Sequence, residues 1–414
     1  MSDDRPPSPW RWWICAVLLL ATTLNYMDRI ALNLLSKEII DAFDITKVWY
    51  GVLESGFQIA FGIGAITFGI IVDRFGVRRV YPVAVVGWSC AGFLTGFADG
   101  YWNLFACRMM LGIFEAGNWP CGIRTTRQVL PAKERPLGNS IFQSGTGLGA
   151  IVTPPVIALA LMGTSPGDEN TWQIPFRWIG ACGMLWVAVW MLTIPKGQLI
   201  AREAPRTEGN REPFSAVFRD RRFWILIAVI IGVNTTWHTF RVWLPLFLRG
   251  EQHYSRDAML EFNTLYFIVA DLGSWAAGLA VVLLVKFGWA LHRARLATFG
   301  VGIAFILPAG AIPFVKPDYL PALILVTAFG ALGIFATYFA LSQEISGKNQ
   351  GKITGLLGLI NSLYLAGLYW AQGSIGESVG SLGQVLAVAP IPALFAFGVV
   401  WRFWPQEASS STIV

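Results

Sequence analysis

The stretch "WWICAVLLLATTLNYMDRIALNLL", residues 12–35, opens apolar and then carries Asn25, Tyr26, Asp28, Arg29 and Asn33. As a helix rising about 1.5 Å per residue, it can cross a hydrocarbon core of about 30 Å. A charged side chain at the centre of such a span costs roughly 2.5–3.5 kcal/mol even on insertion scales. Adjacent charges there face a protein interior or a water-filled cavity rather than lipid, and mark a substrate or ion path.

The rest of the chain repeats the pattern. Apolar runs over 12–35, 49–72, 80–98, 103–129, 138–162, 174–195, 223–248, 259–286, 295–315, 320–345, 351–376 and 382–404 read as twelve membrane-spanning helices. None alternates with the period of two that a membrane β-barrel needs. Of the 414 residues, 55% are hydrophobic and 14% charged, with mean hydropathy +0.54. Soluble domains carry about 25% charged residues. The fold class is therefore an all-α polytopic membrane protein. The 43 glycines suit close helix packing in lipid, and the 19 tryptophans suit interfacial belts, as at Trp10, Trp12, Trp13, Trp49 and Trp102.

The net charge of +6 is spread over loops, which excludes a nucleic-acid patch. With the N-terminus inside, Lys37, Lys47, Arg177, Arg249, Arg256 and Lys316 lie outside, Arg29, Arg108 and Arg241 lie in spans, and the other 22 of 31 Lys and Arg lie inside. The positive-inside rule then puts both termini in the cytoplasm. Cys15, Cys90, Cys107, Cys121 and Cys182 all fall in apolar spans, as packing residues rather than a disulfide framework. The first span is too long, and its centre too polar, for a cleavable signal peptide.

The longest polar stretch, "PKGQLIAREAPRTEGNREPFSAVFRDRR" at 195–222, divides the chain into a bundle over 1–194, a cytoplasmic linker and a bundle over 223–414. An offset of 212 residues relates the halves, carrying "VDRFG" (72–76) onto "LVKFG" (284–288) and Arg29 onto Arg241. Duplicated halves place a binding site near the midplane.

With "GIIVDRFGVRR" (69–79), "NYMDR" (25–29), "RMMLGIFEAGNWP" (108–120), "KERPLGNSIFQSGTGLGA" (133–150) and "ADLGSWAAG" (270–278), the chain resembles the major facilitator superfamily. Within it, the chain resembles the anion:cation symporter family of bacterial sugar-acid and organic-anion transporters, over nearly its whole length. The resemblance implies two six-helix bundles that rock about a central site.

Asn25, Arg29 and Asn33 recur every four residues on one helical face, with Asp28 about 100° round. Arg108 and Glu115, seven apart, share nearly one face of span four. Static buried ion pairs and a proton switch both fit these residues. Desolvation favours a neutral carboxyl and a nearby guanidinium a charged one, so an arginine that changes partner can load and unload a proton. The resemblance implies that Asp28 and Glu115 are the protonatable pair and that Arg29 holds a substrate carboxylate with Tyr26 nearby. A guanidinium suits that task because it binds carboxylates bidentately and stays charged.

In "NTTWHTFRVWLP" (234–245), His238 and Arg241 are three apart and neighbours on one face. The resemblance implies an apolar or aromatic residue at 241, so Arg241 is a departure. It either snorkels to the interface or opposes Arg29 as a second anion clamp. His238 is either a hydrogen-bonded core residue or a substrate contact. Asn361 matches a polar contact position of the sugar-acid carriers, or holds helices together. Gln143 and Thr146 could face the cavity, although galactonate carriers have Gln where Thr146 stands. Ser342, Gln343 and Glu344 read as a gate or a solvated helix end, and Asp271 as a structural or gating carboxylate. Asp73, Arg74, Arg78 and Arg79 read as a conformational latch. Its echo has Val285 where Asp73 maps, so the second latch should be weaker.

The expected activity is proton-coupled uptake of a small organic anion, a hexuronate or aldonate-like sugar acid, by alternating access in a bacterial inner membrane. No cofactor is expected, the proton gradient being the energy source. The expected partners are the anion, protons and the lipid bilayer, with no nucleic acid and a monomeric carrier. The rival reading is an organophosphate exchanger using Arg29 and Arg241. Two interior arginines argue against a drug exporter. His238, His253 and His292 have no metal-ligand spacing, and GxSxG and HExxH are absent, so an enzyme is not expected. A non-transporting sensor of this fold stays open on sequence.

Overall fold

Polar and small residues between the apolar runs set where each helix stops. The computed structural model describes residues 8–131, 134–164, 171–194, 218–342 and 350–404. Every regular element among them is helical. Helix α1 (Ser8–Leu34) passes through a one-residue turn into α2 (Ser36–Phe43), which ends at Asp44 in a left-handed conformation. The Thr46 side chain then caps α3 (Lys47–Phe75), accepting from the Trp49 N–H at 3.4 Å. Gly76, at φ 78°, turns the chain into α4 (Val77–Thr95) inside the "VDRFGVRR" motif, in a conformation that favours glycine.

Span four is a broken helix, α5 (Tyr101–Glu115) and α6 (Asn118–Val129). Pro120 cannot donate to the carbonyl of Ala116, so the ladder is interrupted one turn upstream, directly after Glu115. Helices α7 (Arg135–Ala160) and α8 (Gln173–Thr193) complete this half. There follow α9 (Arg221–Gly250), α10 (Arg256–Lys286) and α11 (Leu291–Ile306), the last continued by a 3₁₀ turn over Leu307–Phe314. Helices α12 (Leu320–Gly333), α13 (Phe335–Ser342), α14 (Gln350–Val379), α15 (Leu382–Val388) and α16 (Ile391–Phe403) close the chain.

Eight helical stretches among the described residues are long and apolar enough to cross a membrane, and Pro317–Gly333 is a shorter apolar one. The remaining expected spans fall on α4, on the broken pair α5–α6, on α12–α13 and on α14. Large apolar side chains such as Ile66, Leu192, Trp275 and Phe395 are exposed, while Asp28, Glu54, Arg108 and Glu115 are buried. A water-soluble domain sorts its residues the other way.

The chain divides by compactness into two units. One lies within residues 1–207, 241–267 and 365–380, the other within 208–240, 268–364 and 381–414. The final turns of α9, the first turns of α10 and the second half of α14 thus go with the N-terminal helices. Residues 195–217, most of the expected linker, lie outside the described residues.

In the first unit, glycines bring helices into backbone contact. A Cβ at Gly145 or Gly149 of α7 would lie 2.6 Å from the Leu19 carbonyl or 2.7 Å from the Thr23 carbonyl of α1, and one at Gly112 of α5 would lie 2.6 Å from the Phe57 carbonyl of α3. With no hydrophobic force between helices in lipid, such close approach holds the bundle together. In the second unit, Gly330 of α12 approaches the Gly302 carbonyl of α11 in the same way, and Thr235 of α9 hydrogen-bonds Tyr364 of α14 at 2.6 Å.

Candidate functional site

The first unit contains a buried cluster of guanidiniums and carboxylates, built on the polar stripe of α1. Asn25 Nδ2 donates to the Glu115 backbone carbonyl at 3.3 Å, at the point where span four breaks and that carbonyl ends α5. One turn on, Arg29 Nε donates to Glu115 Oε2 at 2.5 Å. One turn further, Asn33 Nδ2 reaches Tyr50 Oη and Glu54 Oε1 of α3, both at 3.0 Å. The period-four stripe thus faces α3 and α5 along its length.

Asp28 points elsewhere. It is 2% exposed, and its Oδ1 has no hydrogen-bond partner. It packs on α4, where a Cβ at Gly92 would lie 2.6 Å from Oδ1. The rotation of about 100° between consecutive helical positions separates Asp28 from Arg29.

Arg108 and Glu115, on one helix, pair with different partners. Arg108 Nη2 donates to Glu54 Oε1 at 3.3 Å, and its Nε and Nη1 are buried without partners. The Phe57 ring lies 4.5 Å from the Arg108 guanidinium carbon and 5.1 Å from that of Arg29. Phe61 and Tyr26 add ring contacts to Arg29 at 4.4 and 5.5 Å. Buried guanidiniums gain from such aromatic faces. Arg29 Nη2 has no hydrogen-bond partner, so half of its fork is open.

Arg241 belongs to this unit. It is 4% exposed, donates from Nη2 to Tyr369 Oη of α14 at 3.0 Å, and leaves Nε without a partner. Among the described residues it forms no ion pair. Tyr50 meets Trp243 edge-on at 5.6 Å, and Trp243 donates to Gln372 at 2.9 Å. Arg241 is buried and held by Tyr369 of α14, and does not snorkel.

Gln143 is exposed on α7, and half-buried Thr146 bonds back to the Gln143 carbonyl at 2.9 Å. His238 and Asn361 are half-buried on the portions of α9 and α14 that belong to the second unit, as is Asp271 on α10; Asn361 Oδ1 has no hydrogen-bond partner. Gln343 and Glu344 lie outside the described residues. In the loop motif, Asp73 pairs with Arg124 of α6, Arg78 Nε donates to the Ile194 carbonyl at 3.4 Å, and Arg74 and Arg79 are exposed. At the other end of α3, Lys47 pairs with Glu251 at 3.7 Å and its N–H donates to Glu377, while Arg249 pairs with Glu38 at 3.0 Å.

Sequence reading missed Glu54, Tyr50 and Tyr369. Glu54 had a usable signal, as the lone charged side chain within the 49–72 run. A charge inside a membrane-crossing run belongs in a protein interior, at Glu54 as at Asp28.

The Major Facilitator Superfamily model matches residues 18–369, most of the chain. The chain belongs to the Major Facilitator Superfamily. Among its superfamily relatives is the hexuronate transporter of Escherichia coli (strain K12), 23% identical over 94% of this chain and 93% of that protein. The galacturonate transporter of Dickeya chrysanthemi is 26% identical over 67% of this chain and 83% of its own. Of solved structures, the inward-facing, occupied bacterial homologue of the human lysosomal transporter Spinster superposes with TM-score 0.77 at 20% identity, over 97% of this chain and all of that one. A D-xylose–proton symporter gives 0.74 at 15% identity, over 95% and 97%. The all-helical superfamily fold, a membrane transporter role and the absence of an enzymatic role follow from these matches.

Proposed function

We propose that this superfamily member imports a small organic anion, a sugar acid of the hexuronate or aldonate class, together with protons. The observation that carries the reading is the imbalance of the buried charges. Arg29 pairs with Glu115 and Arg108 with Glu54, while Arg241 donates to a phenol and forms no direct ion pair among the described residues. A buried cation without a counter-ion is costly, and a substrate carboxylate supplies one. The open half of the Arg29 fork offers a second donor, with Tyr26 beside it. Relatives named for hexuronate, galacturonate and D-galactonate transport support the sugar-acid class.

Asp28 and Glu115 carry protons in this reading. Asp28, buried without a hydrogen bond to Oδ1, is costly as an anion and cheap as an acid. Glu115 gives up Arg29 when it accepts a proton, which frees that guanidinium for substrate. Bundles over 1–194 and 223–414 rock about the site, with Asp73, Arg74, Arg78 and Arg79 as a latch, in a bacterial inner membrane with both termini cytoplasmic. No cofactor takes part, and the carrier acts as a monomer. Anion and protons drive the exchange only through their unequal affinity for the two states.

The test is uptake by proteoliposomes of glucuronate, galacturonate, galactonate, gluconate and glycerol 3-phosphate, with and without an inward proton gradient. Gradient-stimulated uptake of a sugar acid is expected. Gradient-independent exchange of the phosphate ester would replace this reading with a phosphate clamp of Arg29 and Arg241.

A further inference from the structure

Glu54 has no role in the scheme above, yet it joins more of the buried cluster than either expected proton carrier. It is 1% exposed, two turns into α3, and its side chain reaches α1 and α5. Its Oε1 accepts from Asn33 of α1 at 3.0 Å and from Arg108 of α5 at 3.3 Å. Its Oε2 makes no hydrogen bond among the described residues. Arg108 has no other ion pair among them, and the two remaining nitrogens of its guanidinium are orphaned.

The other charged and titratable groups around Glu54 come from five helices. Tyr50, one turn back on α3, shares the Asn33 amide with it. Arg241 of α9 and its partner Tyr369 of α14 adjoin the same stretch of α3, where a Cβ at Gly51 would lie 2.5 Å from the Tyr369 carbonyl and Tyr50 meets Trp243 edge-on. Arg29 of α1 and Glu115 of α5 form the adjoining pair across Phe57. The Glu54 carboxylate is therefore the direct counter-ion of Arg108 and also an anionic charge in reach of Arg241. The cluster has three guanidiniums, and Glu54 and Glu115 are the only carboxylates that hold any of them among the described residues.

We propose that Glu54 is a third coupling carboxylate, whose protonation releases Arg108 and leaves Arg241 uncompensated, so that a proton and a substrate anion enter together. The step balances simply. A hydronium ion from the proton-rich side gives its proton to a Glu54 oxygen and leaves as water, the Arg108 and Asn33 hydrogen bonds to the carboxylate weaken, and the incoming anion restores the lost negative charge. Loss of that proton on the other side returns Glu54 to Arg108 and expels the anion. The location suits such a switch, because the same stretch of α3 carries the close contact with α14. Ser55 Oγ donates to the Ala366 carbonyl at 2.6 Å, and a Cβ at Gly51 would lie 2.5 Å from the Tyr369 carbonyl. A change of charge at Glu54 therefore acts on both Arg241 and the seam that holds α14.

The inference rests on the transport reading, so wild-type protein is measured first. Counterflow and proton-gradient-driven accumulation of glucuronate, with protons counted by a trapped pH dye, establish that reading or refute it. With active wild-type protein, Glu54→Gln is expected to lower accumulation by roughly tenfold or more, an ordinary coupling effect. It is also expected to reduce the protons carried per anion and to flatten the pH profile, with counterflow the least affected. Glu54→Asp keeps a titrating carboxylate but sets it one methylene further from Arg108, so the pH profile should regain its slope with a displaced midpoint. An unchanged pH profile and proton count in Glu54→Gln would overturn the proposal. So would equal loss of counterflow and accumulation in folded protein, which assigns Glu54 to structure alone. If Glu54→Gln does not fold, Glu54→Asp decides: a shifted pH profile supports the proposal, and an unshifted one overturns it.

Discussion

The Arg241 guanidinium donates to the Tyr369 hydroxyl at 3.0 Å, and nothing else in the described structure accepts from it. A neutral phenol is a weak partner for a buried cation, so this contact holds the guanidinium in place for a stronger acceptor. Arg241→Lys keeps the charge and loses the planar fork that meets a carboxylate bidentately. It is expected to weaken anion binding about 10–100-fold, or about 1.4–2.8 kcal/mol. Equilibrium binding of glucuronate to purified protein measures this, and wild-type affinity in the variant would remove Arg241 from the site.

Tyr369→Phe strands that donor in the empty protein. Leaving a buried group unpaired costs about 1–3 kcal/mol. The melting temperature in detergent should fall, and saturating anion should narrow the gap to wild type by supplying the missing acceptor. A gap unaffected by anion would separate Tyr369 from substrate binding.

Asp28→Asn removes a charge at nearly constant shape, against the tight surface of Gly92. Wild-type uptake from a fixed outside anion concentration should decline as outside pH rises, because loading requires a proton on the carrier. In Asp28→Asn that decline is expected to flatten, and accumulation against a gradient to be lost. Proteoliposome uptake across a pH series is the measurement. A slope equal to wild type would place proton carriage elsewhere.

Arg29 and Glu115 are nearly fully buried. Removing one partner of such a pair costs about 3–5 kcal/mol, whereas removing both leaves no stranded charge. Arg29→Gln and Glu115→Gln should therefore each lower the melting temperature, and the double variant should lower it by less than the sum of the two single losses. Strict additivity across the cycle would mean that the two side chains do not interact.

The seam between α3 and α14 offers a conformational test. Gly51→Ala places a methyl 2.5 Å from the Tyr369 carbonyl, an approach that side-chain adjustment cannot relieve because the opposing atom is backbone. The packing described here should become less populated. In a background lacking Cys15, Cys90, Cys107, Cys121 and Cys182, a cysteine at Gln372 should react faster with a thiol reagent in Gly51→Ala than without it. Equal rates would show that the seam tolerates the methyl.

The repeating apolar runs determined by themselves that this chain is a bundle of membrane helices, since lipid offers backbone groups no other partner. The same local logic legibly placed Asn25, Arg29 and Asn33 on one face, because a helix repeats every 3.6 residues whatever surrounds it. It located Arg108 and Glu115 as buried, because charges in such runs have nowhere else to go. It could not choose partners. Arg108 and Glu115 share a face of α5, and only the packing of α1 and α3 against that face sends one to Glu54 and the other to Arg29. Nor could sequence tell a snorkelling Arg241 from a buried one. That depended on α14 bringing Tyr369 within 3.0 Å, a contact made across 128 residues. Helical period is a property of neighbouring peptide bonds, whereas an ion pair is decided by which helices glycine allows to touch.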